Sequence, residues 1–422
     1  MKKTFILAAL FALLALCGCH KSEDREEVLK VLNWADYIDE DVLANFPEWY
    51  RQQTGKNIRV EYETFDINEE LLSKIEDEHQ DYDAVCPSEY VIEHLLRKNL
   101  IQPIDTAFGQ TPNYLHNVSP YIVKLIDGMS NSGRIAHEYA VPFMWGTCGI
   151  MYNKEYVPQK DAQTWTTLWN PAYKDKLLVV DAYRDCYGIA LIYAHRKELK
   201  EGKCTVDQLL NDFSPQAIAT AEKTLRALKP NVKEWAADFN EKVFARYMGQ
   251  INMVWSGDAA WAMALAAPLG IELGYEVPQE GSNVWVDGWV IPKYAANPKA
   301  ASYFINYLCQ GYVAVANMKA AKYLSCVANK KVLKDMTDED AYREGRNLSY
   351  FFGWEGRDAH LNPVLYPDSS VLARCALMHD AVEHTAEVHS MWEKLMKDEN
   401  GKRSNANSGQ HDNKWHIGSS LW

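Results

Sequence analysis

Strand-like apolar runs alternate with amphipathic helical patterns over most of this chain, and the alternation constrains its fold more than any other feature. Near the N-terminus, strands are predicted at residues 29–34, 58–64 and 82–87. Each is followed by a helical pattern, at residues 39–55, 68–79 and 90–98. Such a βαβαβ opening predicts an α/β sheet whose active loops follow the strands, here at Asp36, Asp66 and Ser88.

A second region of alternating pattern begins near residue 141. It predicts strands at residues 176–181 and 251–255 and helices at residues 206–228 and 259–267. The loop after the first of these strands presents Asp185, and Thr164 predicts the cap of a short helix. A chain of 422 residues is too large for one compact core, so we expect two domains.

The N-terminus carries the features of a secretory signal. Met1-Lys2-Lys3 precedes an apolar run at residues 5–16, and a run of about a dozen residues is too short to cross a bilayer, which takes about 20. The run ends in Leu16-Cys17-Gly18-Cys19, a pattern similar to a bacterial lipobox, which predicts a lipid on Cys19. An ordinary cleavage site beside two chance cysteines is the alternative. Residues 20–27 are charged and predict a disordered tether.

Charge excludes some classes of partner. The chain has 44 Lys and Arg against 57 Asp and Glu, a formal net charge of −13, and no basic stripe or arginine cluster. We therefore expect no nucleic-acid partner, whereas an acidic surface attracts cationic ligands. No membrane-spanning run follows residue 19, so the predicted lipid would be the only anchor.

The cysteines give no disulfide framework. Of the nine, Cys17 leaves with the predicted signal and Cys19 is acylated, so seven remain, an odd number without paired spacing. Cys86, Cys148 and Cys309 lie in apolar runs and predict small buried side chains.

Five short stretches pair large aromatic rings with acids or with positions close to an acid. They are residues 33–37, 184–187, 255–258, 285–287 and 322–324. With 14 Trp and 24 Tyr in the chain, any single stretch is explained as well by a core ring beside a solvated acid. Their joint placement at strand ends favours an aromatic box with carboxylates at its ends, which suits a polyamine cation.

The motifs resemble those of the substrate-binding proteins of spermidine/putrescine ABC transporters. The matching segments are residues 32–38, 82–90, 141–146, 164–169, 254–257 and 285–292, and their order covers roughly residues 30–395. The resemblance implies a type II periplasmic-binding-protein fold, an α/β fold of two lobes, each a mixed sheet flanked by helices. It also implies a ligand in the cleft between the lobes and a transporter permease as partner.

The resemblance also implies where the lobes divide along the chain. Residues 28–140 and 286–330 would form lobe 1. Residues 141–285 and 331–398 would form lobe 2, followed by a polar tail at residues 399–422. The expected protein is a monomer without cofactor or metal, held at the periplasmic face of a membrane by Cys19, with display at the cell surface as a further option.

Ten residues match ligand contacts of the family. The matching aromatics are Trp34, Tyr37, Tyr90, Trp255, Trp285 and Tyr323. The matching acids and hydroxyl are Asp36, Asp185, Asp287 and Ser88. Where this chain has Asp185 the family more often has Glu. The family's Asp three residues earlier is Ala182 here, and its glutamine near the C-terminal end has no counterpart around Met378. Residues 343–361 look like an insertion.

Two other classes of function stay open beside polyamine capture. An enzyme would need a nucleophile, metal set or cofactor loop, and no G-x-S-x-G, G-x-G-x-x-G, H-E-x-x-H or C-x-x-C pattern occurs. His384 and His389 are five residues apart on a predicted helix and do not share a face, so we read them as surface residues. A receptor for another organic cation or for ferric iron is the third class, although tryptophan cannot ligate a metal.

Overall fold

The computed structural model describes residues 25–106, 114–129, 133–236, 251–321 and 324–397. Cys19, the C-terminal residues 398–422 and Tyr323 lie outside this part of the chain. The chain divides into two compact units, the first formed by Met1–Trp145 with Trp285–Asp368 and the second by Gly146–Val284 with Ser369–Trp422. The chain therefore passes from one unit to the other at three points.

The strands of the described residues are short except for two, β5 and β10, which each continue from one unit into the other. They are β1 Val28–Trp34, β2 Arg59–Phe65, β3 Ala84–Val85, β4 Ile101–Gln102, β5 Ala140–Asn153, β6 Leu177–Val180, β7 Val232–Ala236, β8 Ile251–Trp255, β9 Leu273–Glu276, β10 Ser282–Pro292, β11 Leu324–Ser325 and β12 Cys375–Ala376.

Helices lie between the strands, as the sequence pattern predicts. They are α1 Glu40–Thr54, α2 Asn68–Leu72, α3 Glu89–Arg97, α4 Pro120–Ile126, α5 Gln159–Ala162, α6 Tyr183–Ala194, α7 Arg196–Lys200, α8 Val206–Leu210, α9 Pro215–Leu228, α10 Ser256–Ala266, α11 Pro298–Leu308, α12 Gly311–Ala321, α13 Lys330–Met336, α14 Ser349–Phe352, α15 Ser369–Leu372 and α16 Thr385–Met396.

In the first unit, β1 is the parallel partner of both β2 and β3. Its register runs from Val28 opposite Arg59 to Trp34 opposite Phe65, and Leu32 lies opposite Val85. β10 joins the other side of β3 as an antiparallel strand. Because β1, β2 and β3 are parallel, their carboxyl ends share one edge of the sheet, so the loops that follow them lie close together.

The first helix shows how the sequence sets an element's ends and its buried face. Asp39 caps α1 with a carboxylate oxygen that accepts from Asp41 N at 2.8 Å, and the helix stops at Gly55, whose φ of 72° suits a residue without Cβ. Between them, Val42, Phe46 and Tyr50 form a buried face with helical spacing. Burial of each such side chain contributes about 1.5–3 kcal/mol.

Residues 331–368 pack in the first unit, although the sequence reading assigned residues 331–398 together to lobe 2. Phe351 stacks on Trp145 with 5.4 Å between ring centroids and 18° between planes. Its carbonyl accepts from Ser119 Oγ at 3.0 Å. Leu348, Phe351 and Leu361 of the segment at 343–361 are thus buried in the first unit, and the chain changes unit only after Asp368.

In the second unit, the C-terminal half of β5 pairs antiparallel with β8 and β9, and β6 lies parallel between β8 and β7. α6 is buried along nearly its whole length and packs against α9. The core includes the fully buried rings of Trp165 and Tyr187 and the side chains of α16. The carboxyl ends of β6 and β8 carry the starts of α6 and α10.

The predicted disordered tether is wrong for its last three residues. Arg25–Glu27 forms a 3-10 turn, and Arg25 is ion-paired with Asp81 at 2.8 Å and with Asp83 at 2.9 Å. A second hydrogen bond runs from Arg25 Nη1 to the carbonyl of Val28 at 2.7 Å. The guanidinium has five N–H donors, and these partners hold the start of β1 in place.

Candidate functional site

Asp287 lies in the middle of β10 and is fixed there by its neighbours on the strand. Gly288 N donates to the carbonyl of Pro87 at 3.0 Å, and Val286 N donates to Glu89 Oε2 at 3.1 Å. Asp287 itself forms an antiparallel bridge with Ser88, the residue before α3. The Asp287 carboxylate therefore projects from a position that the backbone of the first unit determines.

The side chain of Asp287 is buried against Tyr37. Tyr37 Oη donates to Asp287 Oδ2 at 2.6 Å, and the two residues are 5% and 4% exposed. Burial, and after it the negative charge of Asp287, raises the pKa of the Cys86 and Cys326 thiols. The Tyr37 phenol and two neutral thiols are thus among the groups that interact with this buried carboxylate, and an added cation interacts strongly with a charge at such burial.

Aromatic rings line the same region of the first unit. The Trp34 ring centroid lies 6.5 Å from that of Tyr37 and 4.4 Å from that of Phe65, and Tyr37 contacts Phe143 at 6.0 Å. Trp34 is half-buried, and its Nε1 finds no hydrogen-bond acceptor among the described residues. The carboxyl ends of β1 and β2 bring Trp34 and Phe65 together, which the register predicts.

Asn68, which the sequence reading missed, links two predicted site residues. Its Nδ2 donates to Tyr90 Oη at 2.8 Å and to Ser88 Oγ at 3.1 Å, while its Oδ1 accepts from Ser88 N at 3.2 Å. Asn68 begins α2, which follows β2, and Ser88 and Tyr90 lie at the N-terminus of α3, which follows β3. No signal in the sequence pointed to Asn68, because asparagine is common in loops and at helix starts.

Three other predicted site residues have different outcomes. Asp36 is exposed, in a turn with a φ of 54°, and its charge acts on Tyr62 rather than within the Tyr37 and Asp287 network. Trp285 is buried on β10, 6% exposed. Tyr323 lies outside the described residues.

In the second unit, Asp185 occupies the first turn of α6 and is held by two side chains. Asn283 Nδ2 donates to Asp185 Oδ1 at 2.8 Å, and Trp255 Nε1 donates to the same oxygen at 3.2 Å. Asp185 is 5% exposed and Asn283 is fully buried. The predicted pair Asp185 and Trp255 thus comes together, and Asn283 is a partner that the sequence reading did not name.

Burial sets the proton affinity of Asp185. It raises the pKa of this carboxyl above the ordinary value of an aspartate, while the hydrogen bonds from Asn283 and Trp255 and the charge of Arg184 lower it in part. A carboxylate in this state gains from a cation, because the cation replaces hydration that burial has removed.

The two departures from the family pattern can be located in the second unit. Ala182 is the cap residue of α6 and offers no polar side chain, and Asp181 N donates to the carbonyl of Ala236 at 2.8 Å. Near the C-terminal end, the carbonyl of His379 accepts from Arg184 Nη2 at 3.0 Å. Asp185 is therefore the predicted acid that this end of α6 supplies.

Each unit thus contains a buried carboxylate next to aromatic rings, with hydrogen-bond donors that hold it in place. This combination favours a ligand with protonated amines and methylene groups. Among the described residues, none of the helices has the length and apolar character needed to cross a membrane.

Comparison with known proteins places the chain in a family. Residues 48–343 match the profile of the bacterial extracellular solute-binding proteins. A spermidine/putrescine-binding periplasmic protein of Salmonella typhimurium is 30% identical over 341 residues, which cover 78% of this chain and 88% of that protein. The putrescine-binding periplasmic protein PotF of Escherichia coli is 28% identical over 295 residues, which cover 67% and 73%.

A solved structure agrees with this result. The spermidine/putrescine ABC transporter substrate-binding protein PotD from Streptococcus pneumoniae superposes with a TM-score of 0.63 at 26% identity, and the match covers 87% of this chain and 98% of that one. The likeness confirms the predicted α/β fold of the periplasmic binding proteins. The chain belongs to the family of bacterial extracellular solute-binding proteins.

Proposed function

We propose that the chain is the substrate-binding component of an ABC transporter and captures polyamines, spermidine or putrescine, for uptake. The observation that carries the proposal is the buried Asp287 carboxylate, bonded to Tyr37 Oη at 2.6 Å, with the Trp34 ring centroid 6.5 Å from that of Tyr37. The names of the relatives from Salmonella typhimurium and Escherichia coli point to the same ligands.

The energies of such contacts suffice without any chemical step. Each charge-assisted hydrogen bond contributes about 1.5–3 kcal/mol, and each ring-cation contact contributes about 0.5–2 kcal/mol. Three or four of these contacts, less the cost of association, reach the roughly 8 kcal/mol of micromolar binding. We therefore expect a receptor that turns nothing over.

The proposed ligand contacts are the ten residues that the sequence suggests. In the first unit they are Trp34, Asp36, Tyr37, Ser88, Tyr90, Trp285, Asp287 and Tyr323. In the second unit they are Asp185 and Trp255. Asp287 and Asp185 would each take an ammonium group, and the rings beside each acid would cover the neighbouring methylene groups.

Location and partners are part of the proposal. The signal sequence and lipobox favour a protein held by a lipid on Cys19 at the periplasmic face of the membrane, and the acidic residues after Cys19 leave cell-surface display as an alternative. We expect a monomer. The permease of the transporter would be the protein partner. Mass spectrometry of the mature N-terminus should find an acylated Cys19, and an unmodified Cys19 there would refute the anchor.

Calorimetry with the chain lacking residues 1–19 tests the proposed ligand. We expect spermidine or putrescine to bind with micromolar or tighter affinity and ferric citrate to give no heat. Neither amine should be consumed on prolonged incubation. Binding of another class of solute, with no heat from either amine, would contradict the proposal.

A further inference from the structure

Asn283 is a fully buried amide on β10, between the buried Ser282 and Val284. Its backbone is fixed opposite Ala376 of β12. Burial of an amide is unfavourable unless its donors and acceptors are used. Asn283 Nδ2 donates to Asp185 Oδ1 at 2.8 Å, and Asn283 Oδ1 accepts a longer hydrogen bond from Ser282 Oγ at 3.4 Å. The short bond to Asp185 is therefore the stronger use of this amide.

The two side-chain hydrogen bonds to Asp185 end on the same oxygen of its carboxylate. Asn283 Nδ2 and Trp255 Nε1 both donate to Oδ1, at 2.8 and 3.2 Å. Two donors on one oxygen fix the plane of the carboxylate and direct Oδ2 away from them. The donors come from β10 and from the end of β8, two rigid elements of the second unit.

We propose that Asn283 is a positioning residue of the polyamine site, which orients the Asp185 carboxylate through Nδ2 so that Oδ2 is presented to an ammonium group. Asn283 does not itself touch the ligand. The inference rests on the proposed function, because it assumes that Asp185 binds a cation.

The electrostatics of the second unit agree with this role. The titratable groups that interact with Asp185 are Arg184 and Cys186 on α6 and Cys148 on β5. Burial raises the pKa of both thiols, so they are neutral at physiological pH and cannot hold the carboxylate by charge. The hydrogen bond from Asn283 lowers the pKa of Asp185 against the effect of burial, so it keeps the carboxylate ionised at lower pH.

A purely structural amide is the alternative, and Asn231 provides the matched control. It is also buried in the second unit, 5% exposed, but its Nδ2 donates to the carbonyls of Leu168 and Asn170 at 2.8 and 3.1 Å. Asn231→Leu therefore removes a buried amide of similar burial that has no bond to Asp185. Both variants should lose stability, and only Asn283→Leu should change the titration midpoint of Asp185.

The first readout needs no ligand. NMR of the labelled Asp185 side-chain carboxyl, followed over pH, should give a titration midpoint at higher pH in Asn283→Leu than in the parent, and an unchanged midpoint in Asn231→Leu. An unchanged midpoint in Asn283→Leu would overturn the inference. If Asn283→Leu does not fold, Asn283→Ser, whose hydroxyl is too short to replace the amide, gives the same measurement.

The second readout is a double-mutant cycle with putrescine, measured by calorimetry at pH 7. Asn283→Leu should weaken binding about tenfold or more, the size expected for a lost hydrogen bond to a charged group. In the Asp185→Asn background the same change should weaken binding less than about twofold, because its target is gone. Equal losses in both backgrounds would overturn the inference. Absence of binding by the parent itself refutes the proposed function instead, and the NMR midpoint then still tests the link between Asn283 and Asp185.

Discussion

Asp287 and Asp185 are both buried acids, but different parts of the chain hold them. Asp287 lies on β10 in the first unit, where the backbone N–H groups on either side of it bond the Pro87 carbonyl and the Glu89 side chain, and Tyr37 supplies a hydroxyl donor. Asp185 lies in the first turn of α6 in the second unit, and its carboxylate depends on the side chains of Asn283 and Trp255. The first acid is positioned by the fold and the second by its side-chain partners, so they should respond differently to substitution.

The largest effect is expected for Asp287→Asn. The substitution keeps the shape and the bond to Tyr37 but leaves a buried ammonium without its counter-charge, a loss of about 3–5 kcal/mol. Spermidine affinity should therefore fall by about two to three decades or more, while the melting temperature of the ligand-free protein changes little. Calorimetry decides the matter, with Asp81→Asn as a control acid of the same unit. A dissociation constant within about threefold of the parent would mean that the wrong acid was chosen.

Asp185→Asn should cost less affinity, about one to two decades, because Asn283 and Trp255 already compensate part of the charge in the free protein. The pH dependence of ligand affinity distinguishes this variant from the parent. The pKa of Asp185 is raised in the free protein, so binding of a cation must release a proton when the pH lies below that raised value. The parent's affinity should fall as pH decreases through this value, and the variant's affinity should be nearly flat there.

The pH dependence of folding stability gives a second check on Asp185, and its direction is opposite to that of ligand affinity. A raised folded pKa gives stability that is present below the ordinary aspartate pKa and is lost as pH rises through the raised value. Ligand-free Asp185→Asn should therefore be at least as stable as the parent at pH 7. The exposed Asp212→Asn is the control in the same unit, and a clear loss of stability in Asp185→Asn alone would contradict the reading of a desolvated acid.

Local sequence pattern was sufficient for much of the fold. The strand predicted at residues 251–255 is β8 without any change of bounds, and the strand predicted at 29–34 differs from β1 by one residue. Both strands are buried along nearly their whole length, so a continuous apolar run in the sequence is enough to locate them. The third strand was predicted too long, at 82–87, because only Ala84–Val85 pairs in a ladder and the next residues turn into α3.

The site was harder to predict because its bonds join distant residues. Tyr37 and Asp287 are 250 positions apart, so no local pattern contains their hydrogen bond, and only the family resemblance brought both residues forward. The resemblance did not point to Asn68 or Asn283, and neither stands out by residue type, since asparagine is common in loops and turns. Asn283 stands two positions before Trp285, the spacing of one face of a strand, and that spacing was the signal available for it.

Tyr37→Phe should separate support of Asp287 from contact with the ligand. Loss of the donor at 2.6 Å leaves a buried carboxylate with one bond fewer, so the free energy of unfolding should fall by about 1.5–3 kcal/mol. Affinity should fall by less than about one decade, because an ammonium brings donors of its own. Urea denaturation and calorimetry measure the two effects. Tyr62→Phe, which loses a 3.0 Å bond with Asn33 Nδ2, is the neutral-bond control and should lose less stability.

The smallest effect is expected for Asp81→Asn, which removes an exposed acid in place of a buried one. Asp81 pairs with Arg25 and Lys30, both at 2.8 Å, and these partners lower its pKa to about 2. Its side chain is 48% exposed, so solvent screens both pairs and the loss of unfolding free energy should be about 0.2–1 kcal/mol. Because the folded pKa is lowered, this contribution is present above the ordinary aspartate pKa and is lost as pH falls toward about 2. The difference between parent and variant in urea denaturation should therefore shrink from pH 7 to pH 3, and also in about 1 M salt, where the Debye length is about 3 Å. Two results would contradict the distinction between Asp81, which anchors the start of β1, and the acids that receive a ligand. One is a loss of unfolding free energy as large as that of Tyr37→Phe, and the other is any change in spermidine affinity.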